Sequence, residues 1–244
     1  MNDDKTLLIT GASSDVGLSL IRKVAKNYQR IIAHYHHSDQ GLLLLKEEVG
    51  EKIVSMQADF TDLQSTLQFA EKVIGDGTSP DHFIHLPAPP LNNNKFSKSN
   101  WSDFEVELST SFRSAVILCQ KILPLMAKKK LGKVVFMPSY CVVNQPAMKF
   151  AVPYTSTKYA LLGLMKCLSA EYADKGVTVN GVSPSMINTK FLAGVPELVI
   201  QKNALESPLK RNLQVQDILS AFDFFLSDGA DCITGQNLAV TGGK

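Results

Sequence analysis

Tyr154 and Lys158 are the two side chains of this sequence whose types and spacing point most directly to proton chemistry. They stand four residues apart in a predicted helix, residues 153–175, so both lie on one face of it. An ammonium beside a phenol favours the ionised phenol, and a phenol with a lowered pKa can give and take protons near neutral pH. Ser139 ends a predicted strand and supplies a hydroxyl that could bond a carbonyl substrate. A tyrosine and a lysine at this spacing, without other motifs, more often belong to a solvated helix face. The rest of the sequence must therefore decide whether these two residues are functional.

A glycine-rich turn lies near the start of the chain, in the segment TLLITGASSDVG. A strand, residues 6–10, runs into Gly11, and Gly17 lies in the following predicted helix, which is the setting of a phosphate-binding turn. Ser13 and Ser14 can donate hydroxyls to a phosphate, and the N-terminus of the helix favours an anion. Asp15 places a carboxylate where that anion would lie, so it either opposes the phosphate or caps the helix.

Seven β-rich runs alternate with helical segments, and this alternation predicts a single α/β domain over residues 1–244. The expected fold class is a doubly wound Rossmann fold, with a seven-stranded parallel sheet and helices on both of its faces. The helices are expected at about 16–27, 40–49, 63–75, 101–130, 153–175 and 214–227. A Pro- and Asn-rich loop, residues 87–100, follows the fourth strand, at the sheet edge where such folds bind ligands.

The composition excludes several other classes of protein. The net charge is +2, from 25 basic and 23 acidic residues, which gives no footprint for nucleic acid. No apolar run suggests a membrane span, and the acidic start of the chain does not resemble a signal peptide. The four cysteines are far apart, which predicts reduced thiols and a cytoplasmic protein. His34, His36 and His37 cluster, but a metal site would need further ligands, so no metal is expected and these rings should face an adenosine ribose.

Several motifs in the same order along the chain resemble the short-chain dehydrogenase/reductase family, most nearly its 3-oxoacyl-acyl-carrier-protein reductases and pteridine reductases. The resemblance runs from about residue 6 to residue 243 and implies hydride transfer between NAD(P) and a carbonyl or alcohol, by a homotetramer or homodimer. It implies that Ser139, Tyr154 and Lys158 are catalytic and that Ser111 stands where the family has a catalytic asparagine. It implies a cofactor site formed by Gly11, Ser13, Ser14, Asp15, Val16, Gly17, His36, His37, Ser38, Asp59, Phe60, Pro87, Ala88, Tyr154, Lys158, Pro184, Ile187 and Thr189.

The departures from the family pattern leave alternatives open. Asp15 replaces a glycine, Leu86-Pro87-Ala88-Pro89 stands where the family has Asn-Asn-Ala-Gly, and Ser111 replaces the asparagine. The hydroxyls around Ser111 are expected to bend their helix and to carry a proton relay in modified form. The first interpretation is an active oxidoreductase that works as a reductase. The alternatives are a catalytically impaired nucleotide-binding or scaffold protein and a non-redox enzyme on the same fold.

The second strand bears on the choice of cofactor. An NAD-binding chain usually has an acid about 20 residues after the glycine turn, whereas a 2′-phosphate requires donors or positive charge. Here Tyr35-His36-His37-Ser38 stands at that point, which favours NADP. The small-molecule substrate should be set by residues 87–100, by residues 142–152, including Asn144, and by a substrate lid at about 186–206.

Overall fold

The computed structural model describes residues 4–75, 79–143 and 148–244. Its sheet has seven parallel strands in the order β3-β2-β1-β4-β5-β6-β7, as the alternating pattern predicts. The strands β5 and β6 are buried along their whole length, because helices cover both faces of the sheet. The strands are β1 (Thr6–Thr10), β2 (Arg30–Tyr35), β3 (Ile53–Gln57), β4 (His82–His85), β5 (Gly132–Phe136), β6 (Val177–Pro184) and β7 (Asn237–Val240).

The helices form two layers. Two separate apolar clusters hold them, one contributed by α1, α2 and α8 and the other by α3, α5 and α6, each against its own face of the sheet. The α-helices of the described residues are α1 (Asp15–Val24), α2 (Gln40–Val49), α3 (Leu63–Val73), α4 (Trp101–Glu107), α5 (Ser114–Lys129), α6 (Val152–Tyr172), α7 (Glu197–Glu206) and α8 (Gln216–Leu226). None of these helices is both long enough and apolar enough to span a bilayer.

The long helix expected over residues 101–130 is interrupted. A π-helix, Leu108–Arg113, separates α4 from α5. The hydroxyl of Ser114 donates to the carbonyl of Thr110 at 2.6 Å, which is the back-bonding that distorts a helix. Short π-helical segments occur often at functional sites, and this one packs against α6, the helix that carries Tyr154 and Lys158.

The lid segment, residues 186–206, contains more regular structure than a loop. A 3-10 helix spans Lys190–Gly194 and α7 spans Glu197–Glu206. The sequence analysis missed α7 because its apolar residues show no helical period: Leu198, Val199 and Leu205 are all exposed. The start of the segment is fixed to the body of the domain, since Ile187 pairs with Leu213 in an isolated parallel bridge.

Candidate active site

One cavity of about 1150 Å³ opens at the carboxyl edge of the sheet. Loops after β1, β2, β4, β5 and β6 all contribute to its wall, so the parallel topology brings distant sequence motifs together. Most of the residues expected at the site line it: Gly11, Ser13, Ser14, Asp15, Val16, His36, His37, Asp59, Phe60, Pro87, Ala88, Ser139, Tyr154, Lys158, Pro184, Ile187 and Thr189.

Three expected site residues do not line the cavity. Gly17 lies beneath the turn, where an added Cβ would come within 2.6 Å of the Ala12 carbonyl oxygen, so only glycine fits there. The hydroxyl of Ser38 accepts from the Gln40 N–H at 3.3 Å at the start of α2. Ser111 is fully buried behind the wall. Gly17 and Ser111 therefore support the site from behind rather than touching a ligand.

The glycine turn is held by a buried histidine. Gly11 has a φ of +69°, and its N–H donates to His34 Nδ1 at 3.0 Å, while His34 Nε2 donates to the Ala58 carbonyl at 3.1 Å. Burial lowers the pKa of His34 to about 4, so the ring is neutral and can accept at one nitrogen while donating at the other. His34 lines the cavity, but both of its nitrogens are used inside the protein, so it offers no free donor or acceptor to an adenosine ribose.

Asp15 does not cap α1. Ser14 is the cap, and its hydroxyl accepts from the Gly17 N–H at 3.1 Å. Asp15 Oδ2 instead accepts from the backbone N–H of Lys190 at 2.9 Å, so the carboxylate points across the cavity mouth to the lid segment. The Asp15 carboxylate thus leaves the N-terminus of α1 uncapped by its own side chain, and apart from the Gly17 N–H, which Ser14 takes, the first turn keeps donors for a phosphate.

The far end of the cavity carries two imidazoles and a carboxylate. The rings of His36 and His37 lie 3.6 Å apart between centroids. Asp59 Oδ1 lies 3.4 Å from His36 Nε2 and accepts from the N–H and the hydroxyl of Thr61 at 2.8 and 2.6 Å. The Thr61 hydrogen bonds, with a smaller contribution from His36, lower the pKa of Asp59. This end therefore offers both donors and a fixed negative charge to an adenosine moiety.

Tyr154 and Lys158 meet on α6 as their spacing predicts. Lys158 Nζ lies 5.5 Å from the centroid of the Tyr154 ring and donates to the Met137 carbonyl at 3.0 Å. The expected lowering of the phenol pKa is wrong for the protein alone. Burial raises the pKa of Tyr154 above its ordinary value and lowers that of Lys158, because both groups are withdrawn from water.

Ser139 and Cys141 complete this wall of the cavity. The Ser139 hydroxyl accepts from the Cys141 N–H at 3.4 Å, and its interaction with the phenol partly offsets the raised pKa of Tyr154. Cys141 is buried, and this burial raises the pKa of its thiol, as is typical of an unreactive cysteine. Ser139 is thus the hydroxyl beside Tyr154 that can orient a substrate oxygen.

A hydrogen-bonded chain that the sequence analysis missed joins β1, β4 and the π-helix. The Thr10 hydroxyl lies 2.8 Å from His85 Nδ1, His85 Nε2 donates to the Ser111 carbonyl at 2.8 Å, and the Ser111 hydroxyl donates to the Pro87 carbonyl at 2.8 Å. Burial lowers the pKa of His85 to about 3, which keeps the ring neutral. The one available signal was a histidine at the end of an apolar strand. This chain fixes the loop carrying Pro87 against the site.

Glu107 is a second residue that the sequence analysis missed. It is 5% exposed at the end of α4, one turn before Ser111. Burial raises its pKa to about 7, an effect that the positive charge of Lys158 opposes. The signal available in the sequence was its spacing, since Glu107 and Ser111 are four residues apart on the side of the helix that faces α6.

The substrate side of the cavity is apolar near Tyr154 and charged towards its rim. Leu91, Met186, Phe191 and Leu192 form the apolar part, and the Phe191 ring lies 5.8 Å from the Tyr154 ring. The rim carries the side chains of Lys149, Lys190, Lys202, Glu206 and Lys244. Asn144, expected among the polar contacts, lies outside the described residues.

Comparison with known proteins identifies the family. A family model described as enoyl-(acyl carrier protein) reductase matches residues 11–244, nearly the whole chain. The chain belongs to the short-chain dehydrogenase/reductase family. It is thus an NAD(P)-dependent oxidoreductase, and the reaction class expected from Ser139, Tyr154 and Lys158 is confirmed.

Individual members of this short-chain family resemble the chain over its full length. The 3-oxoacyl-[acyl-carrier-protein] reductase of Staphylococcus aureus is 27% identical over 248 residues, covering 100% of this chain and 99% of that protein. The enzyme of the same name from Buchnera aphidicola (strain APS) is 27% identical over 241 residues, covering 98% and 96%. Two solved structures share the fold. Levodione reductase has a TM-score of 0.88 and 20% identity, and the match covers 98% of this chain and 97% of that chain. ElxO with NADP bound has a TM-score of 0.85 and 22% identity, and the match covers 98% of each chain.

The residues present fit a dinucleotide cofactor. A Cβ at Gly11 would come within 3.2 Å of the Pro87 nitrogen, so the turn packs closely against the loop after β4 and leaves the N-terminus of α1 open to the cavity. The cavity volume is large enough for a dinucleotide together with a small substrate. The turn would hold the phosphates, the His36 end would hold the adenosine, and Lys158 with Ile187 and Thr189 would hold the nicotinamide half.

Proposed function

We propose that this enzyme is an NADP(H)-dependent reductase of a small-molecule carbonyl compound. The observation that carries the proposal is one continuous cavity in which the open N-terminus of α1 lies at one end and Ser139, Tyr154 and Lys158 lie at the other. The names of the two 3-oxoacyl-[acyl-carrier-protein] reductase relatives support a carbonyl as the group reduced.

In the proposed mechanism, the bound cofactor supplies the hydride and the protein supplies position and a proton. The Ser139 hydroxyl orients the carbonyl oxygen towards the phenol. Tyr154 gives its proton to that oxygen as negative charge develops on it. Lys158, fixed by the Met137 carbonyl, stabilises the phenolate that remains, so its charge matters most after the proton has moved.

The state of Tyr154 favours the direction of reduction. Because burial raises the pKa of this phenol, it is protonated at neutral pH and is ready to act as an acid. A tyrosine that began the reaction as a phenolate base would suit alcohol oxidation instead. The apolar surroundings that Phe191 and Leu192 provide therefore set the proton donor in the form that a reductase needs.

The preference for NADP rests on the His36 end of the cavity. Two imidazoles line this end of the cavity, and the Asp59 carboxylate beside His36 already accepts hydrogen bonds from Thr61. A phosphate there would take donors from His36 and His37, and from Ser38 if its hydroxyl turned from the start of α2 towards the cavity. Tighter binding of NADH than of NADPH at pH 6.5 would contradict this preference.

The same proposal includes the type of substrate, the cellular compartment and the oligomeric state. The apolar wall formed by Leu91, Met186 and Leu192 suits an apolar substrate body, and the lysines at the rim suit an anionic group. The free thiols of all four cysteines are compatible with the reducing cytoplasm. Assembly as a homotetramer or homodimer would use the β7 side of the sheet, where Leu238 on β7 and Phe224 on α8 are exposed.

A substitution of Tyr154 with a matched control tests the proposed function. NADPH binding is measured by fluorescence, followed by turnover of a carbonyl panel with NADPH and NADH. Tyr154→Phe removes the proton donor and should lower kcat on the order of 10²–10⁴-fold, with NADPH affinity within about twofold of wild type. Tyr159→Phe alters an exposed ring on the same helix and should leave both values unchanged. Normal turnover by Tyr154→Phe, or no turnover of any carbonyl by wild type, would contradict the proposal.

A further inference from the structure

Glu107 is a buried carboxyl that its neighbours leave incompletely satisfied. Its Oε2 atom has no hydrogen-bond partner among the described residues, although the side chain is only 5% exposed. A buried carboxyl without partners destabilises a fold, and removing its charge by substitution normally relieves that penalty. Its presence behind a catalytic wall therefore calls for a reason beyond packing.

The charge of Glu107 acts on the proton-transfer residues. The helix that carries it, α4, packs on α6, which carries Tyr154 and Lys158. A carboxylate at Glu107 favours the ammonium of Lys158 and disfavours the phenolate of Tyr154. Because its pKa is raised to about 7, the carboxyl is half protonated near neutral pH. It can give up a proton and take one back there.

Reduction leaves Tyr154 without its proton in a place that water reaches poorly. Tyr154 and Lys158 are only 9% and 2% exposed, and bound ligands would close the cavity side further. Ser111 offers little help, since its hydroxyl donates to Pro87 and its carbonyl accepts from His85. A proton must therefore return to Tyr154 from the side of the helices.

Resting on the proposed reductase function, we propose that Glu107 is a positioning residue that resupplies this proton through Lys158. The phenolate of Tyr154 takes a proton from Lys158 Nζ, and the resulting amine takes one from the Glu107 carboxylic acid. The carboxylate then regains a proton from solvent on the outer side of α4, where the neighbouring Glu105 and Val106 are exposed. Because Glu107 Oε2 has no direct partner among the described residues, the proposed transfer to Lys158 runs through a bridging water. One proton is consumed for each hydride delivered, as carbonyl reduction requires.

The other titratable groups around this path do not provide an alternative. His85 at the end of β4 and Cys141 after β5 both influence Lys158, but burial keeps the imidazole and the thiol neutral. The guanidinium of Arg113 in the π-helix donates to the carbonyls of Phe60 and Thr61, in the loop after β3. Among the described groups, Glu107 is thus the carboxyl behind Lys158 whose proton is available near neutral pH.

The test compares Glu107→Gln with Glu107→Asp and with a control, Glu105→Gln, on the exposed side of the same helix. We expect Glu107→Gln to lower kcat on the order of 10- to 100-fold at pH 7, with KM and NADPH affinity within about twofold of wild type. In wild type, kcat should fall above pH of about 7 as Glu107 loses its proton, and this limb should be absent in Glu107→Gln. Glu107→Asp should restore part of kcat, and Glu105→Gln should match wild type.

A second readout requires no turnover. In protein with ¹³C-labelled glutamate, one carboxyl resonance should titrate near pH 7 in wild type and be missing in Glu107→Gln. Wild-type kcat and pH profile in Glu107→Gln, or a loss of stability with an unchanged profile, would overturn the relay while leaving the proposed function intact. If wild type reduces no carbonyl, the proposed function fails and the relay fails with it.

Discussion

Three buried histidines should make this protein unstable in mild acid. Burial lowers the pKa of His34 to about 4 and the pKa values of His82 and His85 to about 3. Above the ordinary histidine pKa of about 6.5, the rings are neutral in the folded and the unfolded chain alike. Below it, the unfolded chain binds a proton at each ring and the folded chain does not, so the free energy of unfolding falls as the pH falls.

Glu107 opposes this trend over part of the same range. Its pKa is raised from 4.5 to about 7, so between those values the folded state holds a proton that the unfolded state has lost. Its contribution to stability is therefore largest at low pH and is lost as the pH rises to about 7. On unfolding, the three histidines together take up about three protons and Glu107 releases about one. The net uptake is therefore about two protons. The free energy of unfolding should then fall by about 2.7 kcal/mol per pH unit between roughly pH 6 and pH 5.

The assay is urea unfolding at intervals between pH 5 and pH 6.5, with the slope of the free energy against pH as the result. His82→Gln keeps an oxygen acceptor for the Tyr28 hydroxyl, which lies 2.6 Å from His82 Nδ1, and should reduce the net uptake to about one proton. Glu107→Gln should increase it to about three. A flat wild-type profile, or the same slope in His82→Gln, would refute the reasoning.

Two further substitutions test the turn and the π-helix. Asp15→Asn keeps an acceptor for the Lys190 N–H but removes a negative charge from the phosphate site. The Kd for NADPH should therefore fall about two- to tenfold, and by a smaller factor at high salt. An unchanged or higher Kd would show that the carboxylate does not oppose the cofactor. Ser111→Ala leaves the Pro87 carbonyl without its donor and should lower stability by about 1–3 kcal/mol and weaken NADPH binding with kcat largely kept. A lost pH limb in that variant would instead place the Ser111 hydroxyl in the relay, as the family resemblance implies.

The periodicity of the sequence predicted the sheet well because parallel strands covered on both faces are strongly apolar. Strands β5 and β6 show this, since every residue in them is buried. The proximity of Ser139 and Tyr154 could also be predicted. Helix α6 follows strand β5 in the sequence, so the end of β5 and the start of α6 both lie at the carboxyl edge of the sheet. Local patterns and topology together were sufficient for these features.

The features that could not be predicted depend on surroundings rather than on spacing. The four-residue separation of Tyr154 and Lys158 placed them on one face, but the direction of their pKa shifts comes from the apolar cluster around them. Asp15 is a similar case. Its hydrogen bond to Lys190 joins residues 175 positions apart, and no local propensity contains that information. The sequence could show that Asp15 stands near the phosphate site, but not which N–H group it accepts from.

The proline-rich loop after β4 shows how the site tolerates its departures from the family pattern. Proline residues have no N–H, so Pro87, Pro89 and Pro90 cannot anchor this loop through backbone donors. The anchor comes instead from a carbonyl, that of Pro87, which accepts from Ser111. Ser111 is in turn fixed by His85 at the end of β4, so the loop is held through two side chains that are buried and neutral. A serine at position 111 is therefore matched to the prolines. Ser111→Asn would place a larger amide at a fully buried position, where overpacking is destabilising, and should weaken NADPH binding more than Ser111→Ala does.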